Sequence, residues 1–206
     1  QFTVFLFIYV QNNDKEKYGE LLQKSIHFTF FFSLPACAGL FALCKQLLVI
    51  FSGEAYLPAE STMCIIIPTI LFGSVGSLID SLIFIPARKE KFTFYFQIIN
   101  CVLNILLNML LIPLYGAFGA ALATTIVEFI NMAMKVIVAR KNFLSKNITR
   151  NFFISAIGSA VILLAIFFIE TDSVILDSLL SIFAGMSLYA FITLLLKHDT
   201  ALLLVS

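Results

Sequence analysis

The chain has 206 residues, of which 61% are hydrophobic and only 12% are charged, and its formal net charge is +1. A soluble domain of this length carries about a quarter charged residues, so the composition excludes an ordinary soluble domain and indicates a membrane protein. No basic run interleaved with aromatic residues suggests nucleic acid as a partner. The sequence also lacks a Walker loop, a GxSxG motif and an HExxH motif, so we predict no catalytic residue, no cofactor and no enzyme activity.

Six apolar stretches are long enough to cross the hydrocarbon core, which takes about 20 helical residues. In chain order they are span A (26–51), span B (61–85), span C (92–113), span D (117–138), span E (151–169) and span F (174–196). They predict an all-α polytopic transmembrane helix bundle. The connection between C and D, PLYGAFG at 113–119, is very short, so these two spans are predicted to form an antiparallel hairpin on the outer side. Residues 1–10 are apolar but too short to span, and we interpret them as the end of a preceding helix whose start is missing.

Among the connectors, lysine and arginine occur only in alternate ones. They lie before A, between B and C, between D and E, and after F. The connectors around 52–60, 114–116 and 170–173 have neither residue, and the first and third of them carry acidic side chains. Since positive charge stays on the cytoplasmic side of a membrane helix, this alternation predicts a cytoplasmic C-terminus and basic cytoplasmic loops.

Span D carries a polar stripe. Ala120, Thr124, Glu128, Asn131 and Lys135 are separated by steps of four, four, three and four residues, so they share one helical face. One reading is a substrate cavity lined by Thr124, Glu128, Asn131 and Lys135. The other is a packing face between helices, with Glu128 hydrogen-bonded to a neighbour.

Other polar residues in the spans are further candidates for the cavity. Asn100, Asn104 and Asn108 form an i, i+4 ladder on span C, which either contacts substrate or joins helices. Asp80 on span B pairs with a basic group near the cytoplasmic surface or contacts substrate. Lys45, near the outer end of span A, either snorkels to the interface or contacts an anion.

Four further features of the sequence bear on the fold and on possible sites. Pro35 and Pro68 interrupt spans A and B, which a membrane tolerates where neighbours satisfy the freed carbonyl groups. His27 and His198 lie at opposite ends of the chain and match no ligand motif, so we interpret them as interfacial residues. Cysteines 37, 44, 64 and 101 have no metal-binding spacing, so no metal site is predicted and packing is the interpretation. Spans E and F show few interior polar residues and are expected to face lipid.

Several segments match a known family pattern. They are ARKEKF at 87–92, NCVLNILLNMLLIPLYGAFGAALATTIVEF at 100–129, and SLPACAGLFALCKQLLVIFSGEAY at 33–56. The run resembles bacterial polysaccharide flippases, the O-antigen and capsule repeat-unit transporters of the multidrug/oligosaccharidyl-lipid/polysaccharide exporter superfamily. The basic turn departs from the pattern, because family members more often have a glycine there.

The resemblance implies the C-terminal portion of such a flippase. Residues 1–24 would be the end of a truncated helix and a cytoplasmic connector, 25–140 four core helices of the C-terminal lobe, and 141–206 two peripheral helices and a short tail. The protein would move undecaprenyl-pyrophosphate-linked oligosaccharide across the bacterial plasma membrane by alternating access. Its partners would be that substrate, membrane lipids, the missing N-terminal lobe and polysaccharide assembly proteins.

Two other functions stay open from the residues alone. A cation-coupled multidrug antiporter of the same superfamily would use Glu128 or Asp80 as its coupling carboxylate. A non-transporting membrane scaffold would pack the stripe of span D fully against protein.

Overall fold

The computed structural model describes residues 15–143, 146–167, 174–196 and 198–201. Its helices are α1 (Lys15–Ala42), α2 (Cys44–Ser52), a 3-10 helix (Glu54–Ala59), α3 (Glu60–Ile66), α4 (Thr69–Ile79), a π-helical turn (Asp80–Phe84), α5 (Glu90–Phe143), α6 (Lys146–Phe167) and α7 (Val174–Leu195). The predicted end of a preceding helix, at 1–10, and the connector 168–173 lie outside the described residues.

Helix α5 contains both span C and span D, because it folds back on itself. Gly116 has φ 56° and ψ −132°, a conformation outside the helical region that a residue with a side chain rarely adopts. Asn100 contacts Glu128 at 3.4 Å. In a straight helix those residues would be about 42 Å apart, at 1.5 Å per residue. Residues 90–115 and 117–143 are therefore the two arms of an antiparallel hairpin, as the short C–D connector predicted.

Five described helical segments are long and apolar enough to cross a membrane. The six predicted spans map onto them, because the hairpin accounts for C and D together. Span A consists of α1 and α2, with a break at Leu43, where φ is −95° and ψ is 10°. The all-α prediction is confirmed. The interruption predicted at Pro35 is wrong, because Pro35 lies inside the continuous α1, and the sequence did not indicate the break at Leu43.

Pro68 breaks span B, and neighbouring groups compensate for the break as expected. The Thr69 hydroxyl donates to the Ile66 carbonyl oxygen at 2.6 Å. From the hairpin, the Thr125 hydroxyl donates to the Ile65 carbonyl oxygen at 2.7 Å. These bonds matter because a carbonyl left without a donor in a lipid environment costs several kcal/mol, of the order of a lost hydrogen bond.

The helices pack in two groups around α1. On one side α4, the π-helical turn and α6 close a core whose fully buried members include Ile26, Ile79 and Phe84. On the other side α6 and α7 pack against α1 and α2 around Phe31 and Tyr189. The second arm of α5 packs along α3 and α4, and this contact places the polar stripe of span D against span B.

Candidate functional site

Asp80, Thr93 and Lys135 meet where three helical segments converge. The Lys135 ammonium donates to Asp80 Oδ2 at 2.6 Å, and the Thr93 hydroxyl donates to Asp80 Oδ1 at 2.9 Å. The lysine side chain is 5% exposed and the aspartate side chain is 18% exposed. A buried charge needs a partner, and here each charge provides one for the other. The prediction that Asp80 pairs with a basic group is confirmed, and the group is Lys135.

The backbone of span B creates room for this pair. Gly76, one turn before Asp80, packs directly on Lys135, whose ammonium and Cδ would lie 3.6–3.7 Å from an added Cβ. At Asp80 the helix widens to a π-turn, in which the Ile85 N–H donates to the Asp80 carbonyl oxygen at 3.0 Å. The Tyr18 hydroxyl of α1 donates to the Leu82 carbonyl oxygen of that turn at 3.0 Å. Single π-turns frequently occur at functional sites.

Glu128 lies farther along the hairpin. Its Oε1 accepts a hydrogen bond from Asn100 Nδ2 at 3.4 Å, so Asn100 joins the two arms. The Asn100 and Asn131 side-chain oxygens are both buried without a hydrogen-bond partner among the described residues. Two buried carbonyl-type oxygens in this position can accept hydrogen bonds from water or from a polar ligand.

The other two asparagines of the ladder do not join helices. Asn108 Nδ2 donates to the carbonyl oxygen and to Oδ1 of Asn104, both at 2.8 Å, within one arm. Both line an open groove of about 540 Å³ whose other walls are Ile105, Met109 and the Ile112–Pro113 pair. This groove is mostly apolar, with two amides at its centre.

The remaining predicted residues are separate from this cluster. Thr124 donates to the Ala120 carbonyl oxygen of its own helix at 2.9 Å. Lys45 is exposed on α2. The structure thus brings together Asp80 with Lys135 and Asn100 with Glu128. Whether any of the predicted residues contacts substrate stays a prediction.

A second polar cluster, which sequence reasoning missed, joins α1, α6 and the segment 198–201. Asn151 Nδ2 lies 2.7 Å from Asp199 Oδ2, to which it donates, and 3.0 Å from His27 Nδ1. Arg150 donates to Asp199 Oδ1 at 2.8 Å. The His27 and His198 ring centroids are 6.4 Å apart and both residues are buried between helices, which the sequence did not predict. Their position at the membrane interface stays a prediction.

Spans E and F also bury more polar groups than expected, including Ser155, Ser159, Ser178, Ser181 and Thr193. The sequence of span E did indicate buried polar groups, because Ser155 and Ser159 follow Asn151 at steps of four residues. Serine and threonine are inconspicuous, however, because their hydroxyls bond to carbonyl oxygens of their own helix. Ser159 and Thr193 do so at 2.7 and 2.8 Å. Polar contacts that do hold spans E and F to span A come from Tyr189, whose hydroxyl donates to the Phe31 carbonyl oxygen at 2.8 Å, and from Asn151 beside His27.

His198 has a defined tautomer. Its Nδ1 accepts a hydrogen bond from the Thr200 N–H at 3.1 Å, so its Nε2, 3.1 Å from the Ser155 hydroxyl, carries the proton of the neutral ring. Burial, with a smaller contribution from the neighbouring His27, lowers the pKa of His198 to about 4. The neutral ring is therefore the form that the packed cluster holds.

The described residues contain no group of three or more His, Cys, Asp or Glu side chains that could hold a metal ion. The chemistry available at the Asp80–Lys135 cluster is that of hydrogen bonding and of charge pairing. Both are suited to holding a polar ligand rather than to covalent change.

Comparison with solved structures gives the fold. The lipid II flippase MurJ in its inward closed conformation aligns with a TM-score of 0.82 over 97% of this chain and 43% of that chain, at 21% sequence identity. Among curated proteins, the probable low-salt glycan biosynthesis flippase Agl15 of Haloferax volcanii is 27% identical over 194 residues. That alignment covers 89% of this chain and 39% of the relative, so the chain spans about two-fifths of the length of these proteins.

A family model described as lipid II flippase MurJ matches residues 6–189. The match runs through all the helices described above except the end of α7, and it includes both arms of the hairpin and the Asp80–Lys135 pair. Because it covers far more than half of the chain, the protein belongs to the MurJ family of lipid II flippases.

Proposed function

We propose that this chain is part of a flippase that moves a polyprenyl-pyrophosphate-linked glycan across a membrane. The observation that carries the proposal is the family match over residues 6–189. The two relatives described above are both named as flippases, one for lipid II and one for glycan biosynthesis. Neither name describes an enzyme or a drug transporter, so the comparisons favour a flippase over the antiporter and scaffold alternatives.

The geometry supports this function by supplying three kinds of contact. The glycan needs hydrogen-bonding groups, which Asn100, Glu128 and Asn131 offer. The pyrophosphate needs a cation, and Lys135 is the cation buried among these helices. The prenyl tail needs an apolar path. The first arm of α5 exposes apolar side chains along its length, and those at least half exposed include Val102, Ile105, Met109 and Leu110.

The finer assignment is also proposed. Undecaprenyl pyrophosphate is the carrier, the membrane is the bacterial plasma membrane, and the repeat unit is one used for a surface polysaccharide such as O-antigen or capsule. The C-terminus is cytoplasmic, and transport proceeds by alternating access between this chain's helices and the rest of a longer protein. The alternation of basic and acidic connectors supports this orientation.

The test uses the full-length protein in proteoliposomes. Undecaprenyl-pyrophosphate-linked oligosaccharide is placed in one leaflet, and its appearance in the other is followed with a membrane-impermeant lectin. We expect protein-dependent transfer of this lipid and no uptake of a quaternary ammonium drug. Drug uptake without lipid transfer would overturn the proposal.

The substitution Glu128→Gln separates the flippase from the antiporter. A coupled antiporter loses transport when its titratable carboxylate becomes an amide. A flippase that uses Glu128 for hydrogen bonding keeps most of its activity, because glutamine still accepts a bond from Asn100. The matched control is Asp177→Asn, which removes a buried carboxylate in α7 whose partner is Gln46 at 3.1 Å.

A further inference from the structure

The two side chains of the Asp80–Lys135 pair are unequally exposed, and this difference affects how an anion reaches the lysine. The lysine side chain is 5% exposed, whereas the aspartate side chain is 18% exposed. Span B at Gly76 also lies beside the lysine, because a Cβ added to Gly76 would be 3.6 Å from Lys135 Nζ and 3.7 Å from its Cδ. An anion therefore reaches Lys135 by taking the place of the Asp80 carboxylate.

Asp80 is also held independently of Lys135. The Thr93 hydroxyl, from the first arm of α5, donates to Oδ1, and the lysine bonds to Oδ2. When Lys135 changes partner, the carboxylate keeps one hydrogen bond and its exposed edge gains water. The exchange keeps the more deeply buried charge, Lys135, paired, while the more exposed Asp80 keeps the Thr93 bond and gains water in place of its cation.

The pair lies close to an exposed basic turn. Arg88 and Lys89 follow Asp80 by eight and nine residues and are exposed, and Arg140 follows Lys135 by five and is exposed as well. Arg140 is about 8 Å from Lys135 along the axis of their common helix, at 1.5 Å per residue, and Arg88 and Lys89 lie in the turn that follows the π-helical turn of Asp80. An anion drawn to these exposed cations thus has the buried Lys135 about 8 Å beyond Arg140.

We propose that Asp80 occupies the position of the substrate's phosphate on Lys135 and is displaced by it, so that Asp80 sets the affinity and the selectivity of the site for anionic lipids. This inference rests on the proposed function, because it assigns a residue to the recognition of the same substrate. Asp80 is a positioning residue, since it acts through Lys135. Its carboxylate competes with weak anions, and a pyrophosphate, with more charge and more acceptor oxygens, displaces it.

The experiment measures binding of undecaprenyl pyrophosphate to the full-length protein in nanodiscs at fixed ionic strength, alongside thermal unfolding. Asp80→Asn keeps the shape and the Thr93 bond but removes the competing charge, so we expect about a tenfold lower Kd. Lys135→Gln should raise Kd by about tenfold or more, and the double variant should behave like Lys135→Gln. Asp177→Asn, a buried carboxylate elsewhere in the chain, should leave Kd unchanged.

A purely structural pair makes the opposite prediction. Asp80→Asn would then weaken binding or leave it unchanged while lowering Tm, and that result would overturn the inference. If Asp80→Asn does not fold, Asp80→Ser provides the second measurement, because it also removes the competing charge and should lower Kd about tenfold as well. An unchanged or higher Kd for that variant also counts against the displacement.

Failure of the inference and failure of the function are distinguishable in the same data. Wild-type protein that binds and transfers the lipid, combined with no tightening in Asp80→Asn, rejects only the role of Asp80. Wild-type protein that neither binds the pyrophosphate lipid nor transfers it rejects the proposed function, and the inference with it.

Discussion

Gly119 lies at the closest backbone approach in the hairpin. A Cβ added there would be 2.2 Å from the Leu111 carbonyl oxygen and 2.6 Å from its carbon, and both are backbone atoms that cannot turn aside. We therefore expect Gly119→Ala to force the arms apart and to destabilise the protein by about 1–3 kcal/mol, the usual cost of overpacking. The measurement is thermal unfolding of the full-length protein in detergent.

Gly73 provides the matched control for this substitution. It lies inside α4 and has no atom within 4 Å of an added Cβ. Because alanine favours a helix over glycine by about 1 kcal/mol, Gly73→Ala should leave Tm unchanged or raise it slightly. A Tm that falls equally for both variants would mean that glycine is needed for a reason other than the close approach at Leu111.

Thr125 makes a hydrogen bond between helices that its neighbour does not. Its hydroxyl reaches the Ile65 carbonyl oxygen beside the Pro68 break, whereas the Thr124 hydroxyl bonds only to the Ala120 carbonyl of its own helix. Thr125→Val keeps the side-chain shape and should cost about 0.6–1.7 kcal/mol, the range measured for such bonds in membranes. Thr124→Val should cost close to nothing. Equal unfolding free energies for the two variants would refute the role given to the Ile65 bond.

The residue-scale predictions from sequence succeeded where a property is local. Helical spacing placed Asn131 and Lys135 on one face, and the structure buries both. Spacing does not reveal which distant segment lies opposite that face. The partner of Lys135 is 55 residues away and that of His27, Asp199, is 172 residues away, so neither pairing follows from periodicity.

At the scale of elements, the segment 198–201 closes over α1 and α6 through His198. The Thr200 N–H donates to Nδ1, so a proton on Nδ1 would remove this bond. The pKa of the packed ring is lowered to about 4 from an ordinary value of 6.5. Below pH 6.5, His198 binds a proton when the segment is detached but not when it is packed. The packed segment therefore has its full stability above pH 6.5 and loses stability as the pH falls toward 4.

This linkage gives a measurable pH dependence. Each pH unit below 6.5 should favour the detached state by up to about tenfold, since one proton is involved. We expect the Tm of the full-length protein to fall more steeply between pH 7 and pH 5 than the Tm of His198→Gln, which has no titrating ring. The groups facing His198 are His27, Asp199 and Arg150, and they are the same in both proteins. Parallel pH profiles would show that His198 does not titrate in this range.

The hairpin and the breaks show what element-level reasoning can and cannot supply. The short PLYGAFG connector predicted that spans C and D are antiparallel, and the structure has them so. Pro68 predicted a break in span B. The break at Leu43 has no proline or glycine at that residue. The π-turn at Asp80 is contacted by Tyr18 of α1 and by Thr93 of the hairpin, both distant in sequence. Such deviations depend on neighbours that sequence pattern does not identify.

At the scale of the whole molecule, the membrane-protein class and the helical fold could be predicted from composition and hydropathy, because a bilayer allows few alternatives. The resemblance to exporter-superfamily flippases is confirmed at the level of the family. The narrower resemblance to O-antigen and capsule transporters is not, since the relatives act on lipid II and on another glycan by name. The motifs that suggested it are small, apolar and turn residues that pack the hairpin, and these report a shared fold rather than a shared substrate.

Contacts between distant segments agree with the assignment of the connectors to the two sides of the membrane. Arg150 pairs with Asp199, and both lie at the end assigned to the cytoplasm. At the end assigned to the exterior, Gln46 of α2 donates to Asp177 of α7. Each contact joins helix ends that the charge pattern assigns to the same side of the membrane. Which side is cytoplasmic is indicated by the distribution of lysine and arginine alone.

That orientation is tested by cysteine labelling of the full-length protein after its native cysteines have been replaced. Ala55, in the 3-10 helix, and Lys89, in the basic turn, are both exposed, so each can carry a reactive thiol. Because basic connectors stay cytoplasmic, Ala55→Cys should react with a membrane-impermeant maleimide in intact cells, and Lys89→Cys only after permeabilisation. Equal reaction of both after denaturation is the control. The reverse pattern would put the Asp80–Lys135 pair near the outer leaflet, where a phosphate entering from the cytoplasm could not be the anion that displaces Asp80.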